Sequence, residues 1–106
     1  MIEINFFTLA KGELVGFRLS GHSGYAQSGN DIVCAAVSSA GFMTANTITD
    51  VIKVSAETEV EDGNLMLRVF SKDAVACRDI LQGFKLHMLL LEEQYSDYLI
   101  VKTTEV

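Results

Sequence analysis

The sequence contains no proline and only two cysteines among its 106 residues. Without proline, nothing in the chain forces a break inside a helix or a strand. Two cysteines are too few for the disulfide framework of a small secreted domain, so we expect free or catalytic thiols. The first residues also lack the basic region, apolar run and cleavage site of a signal peptide, and we therefore expect a cytoplasmic protein.

Positive charge is scarce as well. Eight Lys and Arg residues stand against fourteen Asp and Glu residues, which gives a formal net charge of -6. A protein that binds nucleic acid needs a basic surface to displace counterions from phosphates. The composition therefore argues against direct nucleic-acid binding and favours a basic partner.

The longest uncharged run covers residues 32–49, and it is too short and too polar for a comfortable membrane span. It contains six hydroxyl or amide side chains, those of Ser38, Ser39, Thr44, Asn46, Thr47 and Thr49. We interpret it as a buried helix and expect no contact with a membrane.

The distribution of apolar residues predicts one domain over residues 1–106 with the element order ββαββαβ. Asp31 is a good N-cap for a first helix that runs to about Lys53. The second helix is predicted to begin near Asp73, with an apolar stripe at alternating spacings of three and four. The predicted strands cover residues 2–9, 14–19, 54–60, 65–70 and 99–103, and the stripe consists of Ala74, Cys77, Leu81, Phe84, Met88, Leu91 and Tyr95.

This order implies an α+β fold, in which a mainly antiparallel sheet is packed by two helices. The first helix has no charge between Asp31 and Asp50, and its apolar residues fall on more than one side. We predict one apolar face with Val33, Ala36, Ala40 and Met43, and another with Cys34, Val37, Gly41 and Ile48. Burial on several sides in a domain with two helices suggests cover from a second subunit, which predicts a homodimer.

Chemically competent residues concentrate where a glycine-rich loop meets the first helix. Cys34 lies three residues after the predicted N-cap, where unpaired N–H groups and the helix dipole stabilise a thiolate. His22 precedes it in a loop that contains Gly21 and Gly24, so its imidazole can fold back toward the thiol. A Cys/His pair is the minimum for nucleophilic acyl transfer, and first-turn N–H groups, including that of Cys34, are predicted to bind the oxyanion.

Each of these residues also has an ordinary structural interpretation. Cys34 by itself is as well explained as a small buried residue, and His22 by itself as a solvated loop residue. Asp31 is first an N-cap and second a carboxylate that orients His22. Ser38, one turn after Cys34, either supports the site or bonds back to its own helix.

The remaining candidate ligands and nucleophiles have weaker claims. Cys77 falls inside the apolar stripe and is predicted to be a core residue. His87 lies beside the stripe without another ligand at metal spacing, and a metal site made of Cys34, His22 and Asp31 is poorly supported. We therefore predict neither a metal nor another cofactor.

The motif resembles the signature of the bacterial ribosomal-processing cysteine protease family, Prp. That signature reads Gly-His-Ala, a glycine-containing loop, then Gly-x-Asp-Ile-Val-Cys-Ala-(Ala/Gly)-Val-Ser. The matching residues here are Gly21, His22 and Tyr25, followed by Gly-Asn-Asp-Ile-Val-Cys-Ala-Ala-Val-Ser at positions 29–38. Ser23 departs from the usual alanine, which is a small-for-small change.

The resemblance implies a catalytic dyad of His22 and Cys34, and a loop with Gly21, Ser23, Gly24, Tyr25 and Gly29 that contacts the substrate. It also implies removal of the N-terminal extension of a large-subunit ribosomal protein, by a homodimer that needs no cofactor. A basic ribosomal protein is a suitable partner for an acidic enzyme, and the family's aromatic residues before the cut imply an apolar pocket beside Cys34.

Two functions from other classes remain open at the level of sequence. One is a non-catalytic ribosome-associated binding module in which Cys34 is buried. The other is a thiol redox sensor in which Cys77 resolves an oxidised Cys34, which requires the two sulfurs to come within disulfide range.

Overall fold

The predicted α+β architecture is confirmed by the computed structural model, which describes residues 1–21 and 31–106. Five strands and two α-helices follow one another in the predicted order ββαββαβ. They are β1 Ile2–Thr8, β2 Leu14–Ser20, α1 Ile32–Asn46, β3 Ala56–Glu61, β4 Asn64–Val69, α2 Arg78–Gln94 and β5 Leu99–Glu105.

The strands form one sheet in the order β3-β4-β2-β1-β5. All neighbours are antiparallel except β1 and β5, which pair in parallel. Alternate residues of β1 are fully buried, as expected for a strand with one face on the core. The two hairpins and the parallel return of β5 place β3 and β5 at opposite edges of the sheet.

The core lies between the sheet and the helices. Phe84 of α2 packs edge-on against Phe17 and Phe6, with ring centroids 4.8 Å and 5.5 Å apart. Edge-to-face packing of this kind adds about 0.5–1.5 kcal/mol for each pair beyond the burial of apolar area. The apolar stripe thus faces the sheet as predicted, but α2 begins at Arg78, after a 3₁₀ turn at Ser71–Asp73, and not near Asp73.

The first helix continues beyond α1 as a π-helical segment, Thr47–Ile52. It ends at Lys53, whose backbone is left-handed with φ 65° and whose N–H bonds to the carbonyl of Ile48. The predicted end near Lys53 is therefore confirmed, although the last part is not α-helical.

One face of this helix is buried, where the sequence predicts burial on several sides. The buried face consists of Val33, Val37, Gly41, Thr44, Ala45 and Ile48, whereas Met43 is 54% exposed and Val51 is 72% exposed. The segment Ile32–Ile52 has the length and composition of a membrane span. The core helix of a soluble protein shares these properties, so they are weak evidence for a membrane helix. Among the described residues the outer face of the first helix exposes several large apolar side chains, those of Ile32, Phe42, Met43 and Val51.

Candidate active site

Asp31 and Cys34 define the start of α1. Asp31 is the N-cap, with an extended backbone at φ -81° and ψ 94°, and its side chain accepts a hydrogen bond from the N–H of Cys34 at 2.9 Å. The carbonyl of Asp31 accepts the first intrahelical bond, from Ala35, at 3.1 Å. The predicted cap is confirmed, and it places Cys34 at the third position of the first turn.

The same hydrogen bond corrects the predicted oxyanion site. The sequence predicts that the N–H of Cys34 contributes to it, but in this structure that N–H donates to the Asp31 carboxylate. The earlier N–H groups of the turn, those of Ile32 and Val33, have no acceptor within their own helix. The N–H of Cys34 is therefore already engaged in this structure, whereas those two N–H groups precede it in the same turn.

A cavity of about 250 Å³ opens beside Cys34, between the first half of α1 and one end of the sheet. The apolar part of its wall comes from α1 and the central strands, and the polar part comes from the strand ends, the β3–β4 turn and one serine of α1. The apolar residues are Ile2, Leu19, Val37, Phe42 and Leu65, and the polar ones are Ser20, Ser38, Glu61, Asp62 and Asn64. Cys34, partly buried, lines this cavity together with Gly21.

Two glycines bring the walls of the cavity together. A Cβ on Gly41 would lie 2.4 Å from a methyl carbon of Leu19, so α1 packs closely on β2 at this point. Gly21 has φ +87°, and its N–H bonds to the carbonyl of Gly63 at 3.0 Å, which ties the end of β2 to the β3–β4 turn. Cys34 is thereby fixed opposite a turn that lies about thirty residues further along the chain.

Comparison with known proteins assigns the family. A sequence model of the cysteine protease Prp family matches residues 1–100. The chain belongs to this family. It is therefore a cysteine protease, and the resemblance carried by the residues around His22 and Cys34 is confirmed at the level of the family.

Individual Prp proteins agree with this assignment. The chain is 24% identical over 99 residues to the ribosomal processing cysteine protease Prp of Staphylococcus aureus. The aligned residues cover 92% of this chain and 93% of the relative. Crystal structures of Prp from S. aureus with a covalently linked product peptide and with a substrate peptide have TM-scores of 0.90 and 0.85. They are 23% and 22% identical and cover 98% of this chain and 100% of their own, so they show the same fold.

The predicted site residues divide into three groups. Cys34, Ser38 and Gly21 line the cavity, and Asp31 caps the helix beneath it. The alternative for Ser38, bonding back to a helix carbonyl, is seen instead at Thr44, whose hydroxyl donates to Ala40. The predicted His22, Ser23, Gly24, Tyr25 and Gly29 lie outside the described residues, as does any contact between Asp31 and His22.

Cys77 differs from Cys34 in its burial. Its side chain is fully buried in the hydrophobic core, as predicted. Burial, and secondly the charge of Asp73, raise the pKa of the Cys77 thiol above its ordinary value. Both cysteines are free, and a buried thiol with a raised pKa is a poor attacking group, so the redox alternative gains no support.

Sequence reasoning missed the far wall of the cavity. Phe42 lies eight residues after Cys34, about 80° away around a helix with 3.6 residues per turn, so a helical projection places the two residues on the same half of α1. No such projection places the residues Glu61–Leu65, because their position beside Cys34 depends on the strand order. His87, which lies beside the apolar stripe, is exposed.

Proposed function

We propose that Cys34 is the nucleophile of this cysteine protease and that His22 is its general base and acid. The observation that carries the assignment is the position of Cys34, which lines the cavity at the start of α1, while Cys77 is buried in the core. The role of His22 rests on the sequence pattern of the family.

The reaction follows from these two groups. His22 accepts the thiol proton as the Cys34 sulfur attacks the carbonyl carbon of the scissile bond, and first-turn N–H groups stabilise the oxyanion of the tetrahedral intermediate. Collapse of that intermediate breaks the C–N bond, and His22 gives its proton to the leaving amine. Water, deprotonated by His22, then hydrolyses the thioester and restores the Cys34 thiol.

The proposed substrate is the N-terminal extension of a basic large-subunit ribosomal protein, removed in the cytoplasm during ribosome maturation. The related S. aureus proteins are named ribosomal processing proteases. Two properties of this chain support the same substrate class: a net charge of -6 complements a basic protein, and the apolar wall of the cavity suits aromatic residues before the cut. No direct contact with nucleic acid or membrane is required.

The proposed assembly is a homodimer that covers the outer face of the first helix. Ile32, Met43 and Val51 are 54%, 54% and 72% exposed on a helix without charges before Asp50, and uncovered apolar faces of this kind are typical of subunit interfaces. Light scattering at micromolar concentration tests this proposal, and the mass of a monomer would contradict it.

The catalytic assignment is tested by cleavage of the extended N-terminal peptide of the host's ribosomal protein, followed by mass spectrometry. We expect one cut by the native chain and a loss of at least about 10³-fold in Cys34→Ala and Cys34→Ser. His22→Gln should also lose activity, since the proton carrier is removed. Cys77→Ala is the matched control and should retain a similar kcat.

Two results would overturn the assignment. Cleavage by Cys34→Ala at the native rate would exclude Cys34 as nucleophile. Binding of the peptide without any cleavage by the folded native chain would return the protein to the class of non-catalytic ribosome-associated modules. Circular dichroism of each variant establishes that it is folded.

A further inference from the structure

The outer edge of β3 is unpaired in the described part of the chain, where the sheet order places β3 at one end. The β3–β4 hairpin has a two-residue turn, with Glu61 paired to Asn64 across it. In such a hairpin the closing pair exchanges both backbone hydrogen bonds, and every second pair does the same. The N–H and C=O groups of Thr58 and Val60 therefore point away from β4, toward the free edge.

This edge leads directly into the active-site cavity. Glu61, the last residue of β3, lines the cavity, and Leu65, which pairs with Val60, forms part of its apolar wall. Val60 itself is 61% exposed. Apolar surface therefore continues from the cavity beside Cys34 to the free edge of β3.

The two faces of β3 differ in chemistry. Thr58 and Val60 pair with the buried residues Leu67 and Leu65, and so lie on the helix-covered face of the sheet. Glu57 and Glu59 alternate with them and project to the opposite face. Glu61 follows as the last residue of β3 and borders the cavity at the end of the strand. Glu59 forms an ion pair with Arg18 at 3.1 Å, whereas Glu61 forms none with the residues described.

We propose that the peptide substrate binds as an added β-strand along the outer edge of β3, on its way into the cavity beside Cys34. Backbone groups of the peptide pair with those of Thr58 and Val60, which is the β-augmentation mode of peptide recognition. Alternate side chains then meet the apolar surface at Val60 and the carboxylate of Glu61. The edge thus selects an extended segment with apolar residues at alternate positions and a basic residue opposite Glu61.

The opposite edge of the sheet provides a matched control. On β5, the N–H of Val101 faces outward, since it donates to the carboxylate of Glu92 and not to β1. Thr103, two residues later, therefore also directs its N–H outward. Thr58 and Thr103 are both exposed threonines on edge strands, but the cavity lies at the β3 side of the sheet.

The inference rests on the proposed function, and its test separates the two. Binding of the fluorescent extended N-terminal peptide of the ribosomal protein is measured by anisotropy in the Cys34→Ala background, where no cleavage interferes. Thr58→Pro removes one outward N–H and the space for a pairing strand, and should weaken binding about 10-fold or more. Thr103→Pro should leave the affinity unchanged, and thermal melting verifies that both variants are folded.

A charge swap tests the side-chain contact. Glu61→Lys should weaken binding of the native peptide. Peptides in which one basic residue at a time is replaced by glutamate are then tested on this variant, and the affinity should recover only for the residue that lies opposite position 61. If the Thr58→Pro and Thr103→Pro variants bind the peptide equally well and the native chain cleaves it, the edge-strand mode is overturned and the protease assignment stands. Absence of both cleavage and binding by the native chain would instead overturn the proposed function and this inference with it.

Discussion

The two cysteines have similar local sequences and opposite environments. Each lies at the start of a helix and shortly after an aspartate: the N–H of Cys34 donates to the side chain of Asp31, and that of Cys77 donates to the backbone carbonyl of Asp73. Yet Cys34 faces a cavity, and Cys77 is fully buried in the core. A cysteine at a helix start is therefore not by itself a nucleophile.

The difference arises from what the fold places opposite each helix start. Across from Cys34 the sheet ends, and the β3–β4 turn leaves an open space. Cys77 instead belongs to the apolar stripe of α2, which packs on the sheet together with Leu81 and Phe84. Tertiary position thus decides which of two locally similar thiols lines a cavity and which is buried.

The largest expected difference between the two cysteines is in their rate of alkylation. Iodoacetamide should modify Cys34 in the native protein, while Cys77 should react at least about 10³-fold more slowly, because it is exposed only when the core opens. Mass spectrometry of proteolytic fragments after timed quenching measures both rates. Equal rates in the native state would contradict the comparison, and denatured protein, in which both cysteines react, provides the control.

The next largest effect concerns how the two helices pack. A Cβ on Gly41 of α1 would lie 2.4 Å from Leu19, whereas one on Gly83 of α2 would meet nothing within 4 Å. Alanine gains about 1 kcal/mol of helix propensity at either position, so the difference between the variants measures the packing cost in α1. We expect Gly83→Ala to be more stable than Gly41→Ala by about 1–3 kcal/mol.

Urea unfolding of the two glycine variants measures this difference. Equal stabilisation by both substitutions would show that α1 moves freely away from β2 and does not fix Cys34 against the cavity. Replacing Leu19 by the smaller valine should reduce the cost of Gly41→Ala, because the methyl carbon nearest to the added Cβ is then removed.

The local features of this fold were predictable from the sequence, and the long-range ones were not. The cap at Asp31 depends on residues three apart, and Gly63 supplies the positive φ of its turn, at 73°. The start of α2 was predicted five residues too early, because the apolar spacing continues through residues 74–77 although they form a turn. In residues 74–77 the buried side chains keep the spacing of a helix, although the backbone does not form regular helical hydrogen bonds.

The candidate site shows the same division. The motif around Cys34 was visible in the sequence, and so was the burial of Cys77 in a helical stripe. The opposite wall of the cavity was not visible, since the strand order that brings Glu61 and Leu65 beside α1 is set by the whole sheet. The outward orientation of Met43 was missed for a similar reason: an almost uncharged helix gives no sign of which side the sheet covers.

A smaller effect separates the two helix starts. The side chain of Asp31 caps α1, whereas Cys77, the N-cap of α2, makes no side-chain cap bond. Asp31→Ala should lower the free energy of unfolding by about 1 kcal/mol. Asp31→Asn keeps an oxygen acceptor for the N–H of Cys34 and should stay close to the native stability; an equal loss in both variants would assign the effect to the charge and not to the cap.

The smallest expected effect is the dependence of stability on alkaline pH. The pKa of Cys77 is raised in the folded protein by burial and by Asp73, so above the unfolded thiol pKa, about 9, the folded state holds a proton that the unfolded state has lost. Titration of this thiol therefore leaves the free energy of unfolding unchanged at neutral pH. The free energy of unfolding falls as the pH rises from the pKa of Cys77 in the unfolded chain toward its higher pKa in the folded protein. Cys77→Ala should lose less of its unfolding free energy between about pH 8 and pH 10 than the native chain does. Identical slopes would mean that Cys77 titrates alike in both states, contrary to its burial in the core.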